Sequence, residues 1–121
     1  MAKYYLKGGG KMKVNCRESD NNLFVELEGE FDLHTADYFR KKVSEQLTTE
    51  ICNLILDLDG IEFIDSSGLG AILSIYKKLN QQGGKVGVVN ITSQVERIFE
   101  VSGLLKIIDI YSSPQELVDK I

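Results

Sequence analysis

Two adjacent serines, Ser66 and Ser67, follow Asp65 and precede Gly68 and Gly70 in the run Ile61-Glu62-Phe63-Ile64-Asp65-Ser66-Ser67-Gly68-Leu69-Gly70. A serine hydroxyl does chemistry in two ways, as a nucleophile beside a base or as the acceptor of a phosphoryl group. The run passes from a strand-like stretch into a helical pattern, so the serines fall at or just before a first helical turn. Free backbone N–H groups and the positive end of the helix dipole favour an added anion there. Gly68 and Gly70 leave the turn with little side-chain cover, so a partner can reach its backbone. A phosphate on such a serine stays exposed and need not unfold the helix. By residue chemistry alone, the commoner role is humbler: Ser66 or Ser67 as an N-cap, with the glycines chosen for tight helix–sheet packing.

The nucleophile reading lacks its partners. His34 is the one histidine, which leaves no His cluster for a metal and a single possible imidazole base. Ile64-Asp65 precede the serines, so the G-x-S-x-G elbow of a hydrolase is absent. Gly8-Gly9-Gly10-Lys11 is followed by Met12 and precedes a strand, so it is no P-loop. Leu73 stands where a dinucleotide fingerprint beginning at Gly68 needs its third glycine. Cysteine and carboxylate pairs with catalytic spacing are absent or indistinguishable from surface charge, so the chain is not expected to be an enzyme unless folding brings together residues remote in the sequence.

A chain of 121 residues, 43% hydrophobic and 26% charged, is large enough to bury one core without disulfides or metal. The formal charge of −4 gives no general attraction to nucleic acid or anionic lipid. Cys16 and Cys52 have no metal-ligand spacing. Two buried thiols in a reducing compartment is the preferred reading, with one disulfide as the alternative. Charges interrupt every apolar run before it reaches membrane-spanning length. Met1 to Lys7 is too short in apolar residues for a signal peptide. A cytoplasmic location is expected.

These residues need elements to position them. Residues 1–11 read as a flexible arm because of the three glycines, and 12–121 as the single domain. Residues 12–17 and 23–28 form a strand pair across Asp20-Asn21-Asn22, with Leu23, Val25 and Leu27 alternating with Glu26 and Glu28. A helix from about Thr35 buries Ala36, Phe39, Val43 and Leu47. Ile51 to Leu58 reads as a central strand covered on both faces. The helix opening near Ser66 buries Leu69, Ile72, Leu73, Tyr76 and Leu79 and stops at Gly83-Gly84. A strand at Val86–Ile91 follows, then a helix with Ser93 and Glu96 as capping box, a short strand at Ile107–Ile110, and a helix from Ser113-Pro114 to Ile121. The order β-β-α-β-α-β-α-β-α predicts an α/β fold: a mixed, mostly parallel sheet with an antiparallel edge and about four helices.

The run Asp65-Ser66-Ser67-Gly68-Leu69-Gly70 resembles the signature of the STAS domain in anti-sigma factor antagonists. Two further segments are similar to that family. Gly29-Glu30-Phe31-Asp32-Leu33-His34-Thr35-Ala36 matches its Gly-Glu-aliphatic-Asp entry to the first helix, with Phe31 in the aliphatic place. Val101-Ser102-Gly103-Leu104-Leu105-Lys106-Ile107-Ile108 matches its stretch before the last strand. The likeness covers roughly residues 12–121.

The resemblance implies a partner-switching regulator. Unphosphorylated, it binds an anti-sigma factor that is also a serine kinase and so frees a sigma factor. The kinase, using its own ATP, phosphorylates Ser66. A metal-dependent serine phosphatase of the PP2C type reverses this. No cofactor is carried by the chain itself, and neither nucleic acid nor membrane is a direct partner. Asp32, Asp65, Ser67, Gly68 and Leu69 are expected at the partner-binding face. Asp32 doubles as an N-cap, and His34 and Thr35 serve as capping or rim residues. A monomer or weak dimer is expected. Two alternatives within the family are a scaffold subunit of a stress-sensing assembly, which would form a very large particle, and a nucleotide-binding module.

Overall fold

In the computed structural model, residues 2–7 and 10–119 are described, with side chains from 11 to 116. Six strands form one sheet whose spatial order follows the sequence: β1 (Ala2–Lys7), β2 (Gly10–Ser19), β3 (Asn22–Phe31), β4 (Asn53–Ile64), β5 (Lys85–Val89) and β6 (Asp109–Tyr111). β2 runs antiparallel to its two neighbours, β1 and β3, and β3 to β6 are parallel. The three parallel steps are crossed by α1 (Leu33–Gln46), α2 (Ser66–Gln81) and α3 (Ser93–Ser102); α4 (Pro114–Asp119) follows β6.

Each crossover advances one strand in the same direction. Right-handed crossovers that never reverse direction place their helices on one face of the sheet, and the core lies there. Leu23, Val25 and Leu27 of β3, Leu54, Leu56 and Leu58 of β4, and Val88 of β5 are buried against Ala36, Phe39 and Val43 of α1, Ala71, Ile72, Ile75 and Leu79 of α2, and Phe99 of α3. The opposite face carries a small cluster of Ile55 and Val89 with Phe24 and Tyr111 packed against it. Contrary to the expectation of a strand covered on both faces, β4 is apolar mainly on one, because Asp57 and Asp59 follow Ile55 on the far face.

Several expectations need correction. Residues 2–7, read as a flexible arm, pair with β2 from Ala2↔Asn15 to Lys7↔Gly10. Tyr4-Tyr5-Leu6 favours extended backbone, and pairing covers the β2 edge that would otherwise be bare. Gly8 and Gly9 lie outside the described residues, as does the expected helix end at Ile121. The first helix begins at Leu33, two residues early. Thr92, rather than Ser93, caps α3, accepting from the Val95 N–H at 3.3 Å. The last strand sits at Asp109–Tyr111 because a 3₁₀ turn takes Leu104–Lys106. Gly83 and Gly84 do end α2: Gly83, at φ +80°, donates to the Asn80 carbonyl and Gly84 to that of Leu79.

The cysteines also differ from expectation. Neither forms a disulfide, but Cys52 is exposed just before β4 and Cys16 is half-buried beside α1. Burial pushes the Cys16 thiol above its ordinary value, leaving it less thiolate near neutral pH. An alkylating reagent should therefore modify Cys52 on the native protein at least roughly tenfold faster than Cys16. Mass spectrometry of a time course checks this; equal rates would mean that Cys16 is not shielded.

Candidate functional site

The site is built where β3 and β4 end together. Their parallel register begins with Asn22↔Asn53 and reaches Glu26↔Asp57, then shifts twice, so that β4 gains two residues before Phe31↔Ile64 closes the pair. Gly29 sits between the shifts at φ +110°, where a side chain would be strained and a Cβ would meet the Lys11 carbonyl oxygen at 2.6 Å. The two shifts bring Asp32 and Asp65 to matching positions, each one residue beyond a paired strand end.

Both carboxylates are helix caps. Asp32 Oδ1 accepts from the backbone N–H groups of His34 (2.9 Å) and Thr35 (3.2 Å). Thr35, fully buried, completes the junction: its Oγ1 accepts from the Asp32 N–H at 3.0 Å and donates to the Glu30 carbonyl at 2.7 Å. Asp65 Oδ1 accepts from Ser67 N–H (2.8 Å) and Gly68 N–H (3.2 Å). The N-cap of α2 is thus Asp65, and neither Ser66 nor Ser67 has that role. An aspartate two or three residues ahead of free N–H groups takes them as readily as a serine does and adds a favourable charge at the dipole's positive end.

This frees Ser66. It is the first helical residue, exposed, with no hydrogen bond from its hydroxyl among the described residues. Ser67 is half-buried, and Leu69 packs half-buried on the core. The two glycines divide. Gly68 is buried, and a Cβ there would meet the Phe31 carbonyl oxygen at 2.7 Å, the Phe31 ring at 2.8 Å and Ile64 Cγ1 at 2.9 Å. It permits helix–sheet contact and does not open the turn to a partner. At Gly70 a Cβ would have nothing within 4 Å, so this glycine alone leaves bare surface.

His34 is exposed, and its side chain has no hydrogen bond or ion pair among the described residues. Sequence reasoning missed two apolar neighbours of the turn: Leu33, 71% exposed at the start of α1, and Phe63, 49% exposed one residue before the end of β4. Leu33 falls off the Ala36–Phe39–Val43 stripe, which was a visible signal. Phe63 precedes a buried Ile64 where alternation breaks, and that signal is ambiguous without the register shifts. Thr35, assigned only a rim or capping role, is the most buried polar side chain of the junction.

Among the described residues no group of His, Cys, Asp and Glu is disposed to hold a metal ion. The sheet order has no reversal, so it lacks the switch-point crevice where α/β sheets form ligand clefts. No described helix is long and apolar enough to cross a membrane.

Comparison with known proteins agrees with this architecture. The STAS domain family matches residues 13–117. An anti-sigma F factor antagonist from Paenibacillus polymyxa is 42% identical over 103 residues, spanning 84% of this chain and 88% of that one. An anti-sigma-B factor antagonist from Bacillus subtilis is 30% identical over 99 residues, spanning 82% and 90%. The Bacillus protein SpoIIAA, solved unphosphorylated and phosphorylated, shares the fold at TM-scores of 0.76 and 0.67, with 24% and 23% identity. These alignments span 88% of this chain, and 94% and 97% of SpoIIAA.

The glycines give a direct test of which residues hold the turn. Gly68→Ala should lose on the order of 1–3 kcal/mol, since the atoms it meets include backbone. Gly70→Ala should be unchanged or gain up to about 1 kcal/mol from helix propensity. Denaturant melts of the two variants would refute this assignment if their order were reversed.

Proposed function

This chain belongs to the STAS-domain family of anti-sigma factor antagonists, and we propose that it is a phosphorylation-gated partner switch centred on Ser66. Unphosphorylated, it docks on an anti-sigma factor that is also a serine kinase and displaces the sigma factor. The kinase transfers a phosphoryl group from its own ATP to Ser66, and a serine phosphatase of the PP2C type removes it. The chain acts in the cytoplasm, is regulatory instead of catalytic, and carries no cofactor of its own.

One observation carries this reading. The turn is held by Asp65 and Gly68, while Ser66 at its tip is exposed and unbonded. A phosphate can be added there without removing any interaction that holds the fold. The same arrangement supports its use as a signal. Asp65 already occupies the Ser67 and Gly68 N–H donors, so those two groups do not pair with the new charge. A phosphate brings roughly two negative charges beside the Asp65 carboxylate. Burying them against a partner demands cations that the unmodified complex did not need. Asp32, held at the matching strand end, adds to the same field. Leu33, Phe63 and Leu69 supply apolar surface around it for the docked state. SpoIIAA, solved in both forms, is a relative of the same fold for which the two states exist.

The cognate anti-sigma kinase with ATP should place one phosphate on the protein, at Ser66, and none on Ser66→Ala. Phosphorylation should weaken kinase binding about 30-fold or more, the equivalent of roughly 2 kcal/mol for a mismatched interfacial charge. Ser66→Ala should bind like the parent. Peptide mass spectrometry locating the label on Ser67 or on Thr48 and Thr49 would refute the site. Calorimetry giving the phosphorylated form equal affinity would refute the switch.

A further inference from the structure

The face of the sheet turned away from α1, α2 and α3 is not uniformly polar. It holds a cavity of about 390 Å³, lined by the apolar side chains of Phe24, Ile55 and Val89 and bounded by Pro114, where α4 starts. Ile55 and Val89 are buried and Phe24 packs against them, so the cavity has an apolar floor. Its volume falls within the range of small-ligand pockets. Ser66 is not among its walls.

Strand register sets three charged groups around this floor. Arg17 stands level with Phe24, and Glu26, two residues on, stands level with Asp57. The Arg17 guanidinium lies 4.3 Å from the centre of the Phe24 ring and has no ion-pair partner among the described residues. The two carboxylates are aimed by neutral donors. The Asn15 amide donates to Glu26 Oε1 at 3.0 Å, and the Asp59 N–H and Asn90 amide donate to Asp57 Oδ1 and Oδ2 at 3.0 and 3.1 Å. Asn90 takes a left-handed φ of +55° where its amide reaches Asp57. Neither Glu26 nor Asp57 has an ion pair among the described residues. Like charges side by side on paired strands repel, so the fold holds two adjacent carboxylates without neutralising them.

We propose that this cavity binds a small zwitterion whose ammonium and carboxylate stand several bonds apart, as in an ω-amino acid or a dipeptide. The inference does not depend on the reading of Ser66. The ligand carboxylate accepts from Arg17, whose planar guanidinium is already held by the Phe24 ring and loses little further freedom on pairing. The ammonium donates to Glu26 and Asp57, and the apolar middle lies on Ile55 and Val89. Arg17 and the carboxylate pair are two residues apart along their strands, roughly 7 Å at the usual strand rise, which sets the separation of the two charges. A simple anion leaves Glu26 and Asp57 unpaired, and a simple cation leaves Arg17 unpaired. Discrimination therefore comes from both ends of the ligand at once.

The test is calorimetry and NMR amide-shift mapping on the full chain, with ε-aminocaproate and glycyl-leucine as probes and caproate and hexylamine as singly charged controls. At least one zwitterion should bind about tenfold or more tightly than either control and shift the amides of Arg17, Phe24, Glu26 and Asp57. Arg17→Gln, and separately the double variant Glu26→Gln, Asp57→Asn, should each weaken that binding by about tenfold or more while remaining folded by circular dichroism. Arg17→Lys, which keeps the charge but not the planar fork, should fall between parent and Arg17→Gln. Failure of both zwitterions to bind overturns the proposal. So does hexylamine or caproate binding as tightly as ε-aminocaproate, which would leave a site for one charge only. Amide shifts confined to the helical side of the sheet would place any binding elsewhere and overturn it too.

Discussion

β3 and β4 run side by side in parallel, yet β4 takes two residues more than β3 to reach their common end. That excess sets the alignment of everything beyond it. Without it, Asp32 would stand level with Phe63 in place of Asp65, and the two helix N-termini would not be matched. Gly29 makes the excess possible, because it adopts a φ of +110° where its Cα lies against the backbone of β2. At the finished end, the Asp65 N–H donates to the Phe31 carbonyl at 3.1 Å, and Gly68 lies over the same residue. Strand pairing, helix start and close approach thus all meet at Phe31, itself buried, its ring tilted at 57° to that of Phe39 of α1 with centroids 4.8 Å apart.

This anchoring produces a division of labour within six residues. Asp65 and Gly68 are committed to the fold, one by its carboxylate and the other by its lack of a side chain. Ser66 and Gly70 are committed to nothing internal. A modification site needs this separation, since a serine that also capped the helix would lose its cap when phosphorylated and couple signal to stability. Capping by the preceding aspartate keeps the two apart and leaves a negative charge beside Ser66, the acceptor proposed above.

The two faces of the sheet are used differently for a related reason. Three crossovers in one direction place α1, α2 and α3 on one side, so one core serves all of them. The other side keeps a small apolar cluster and a polar surface on which Lys13 pairs with Glu28 and Asn15 bonds Glu26. Both helix N-termini of the site stand at the carboxyl edge of the sheet, and the outward side of α2 extends that surface along the helix.

The sequence by itself determined the order of the elements, the α/β class, the stripe that buries α1 and the position of the serine run at a helix start. Each of these is local, set by side-chain period, turn residues and capping chemistry within a few positions. It also carried the family resemblance, through short segments such as Asp65–Gly70. What only the tertiary structure decided were matters of distance between segments remote in the chain. That Asp65 caps and Ser66 does not depended on side-chain geometry that either residue type could have adopted. That Gly68 serves packing while Gly70 is bare depended on Phe31, 37 positions earlier. The pairing of Ala2–Lys7 with β2, where three glycines suggested a free arm, and the exposure of Cys52 inside an apolar stretch were decided by which neighbours each segment met. Period and propensity constrain a segment on its own, but strand register and helix–sheet contact are collective and exist only once the chain has folded on itself.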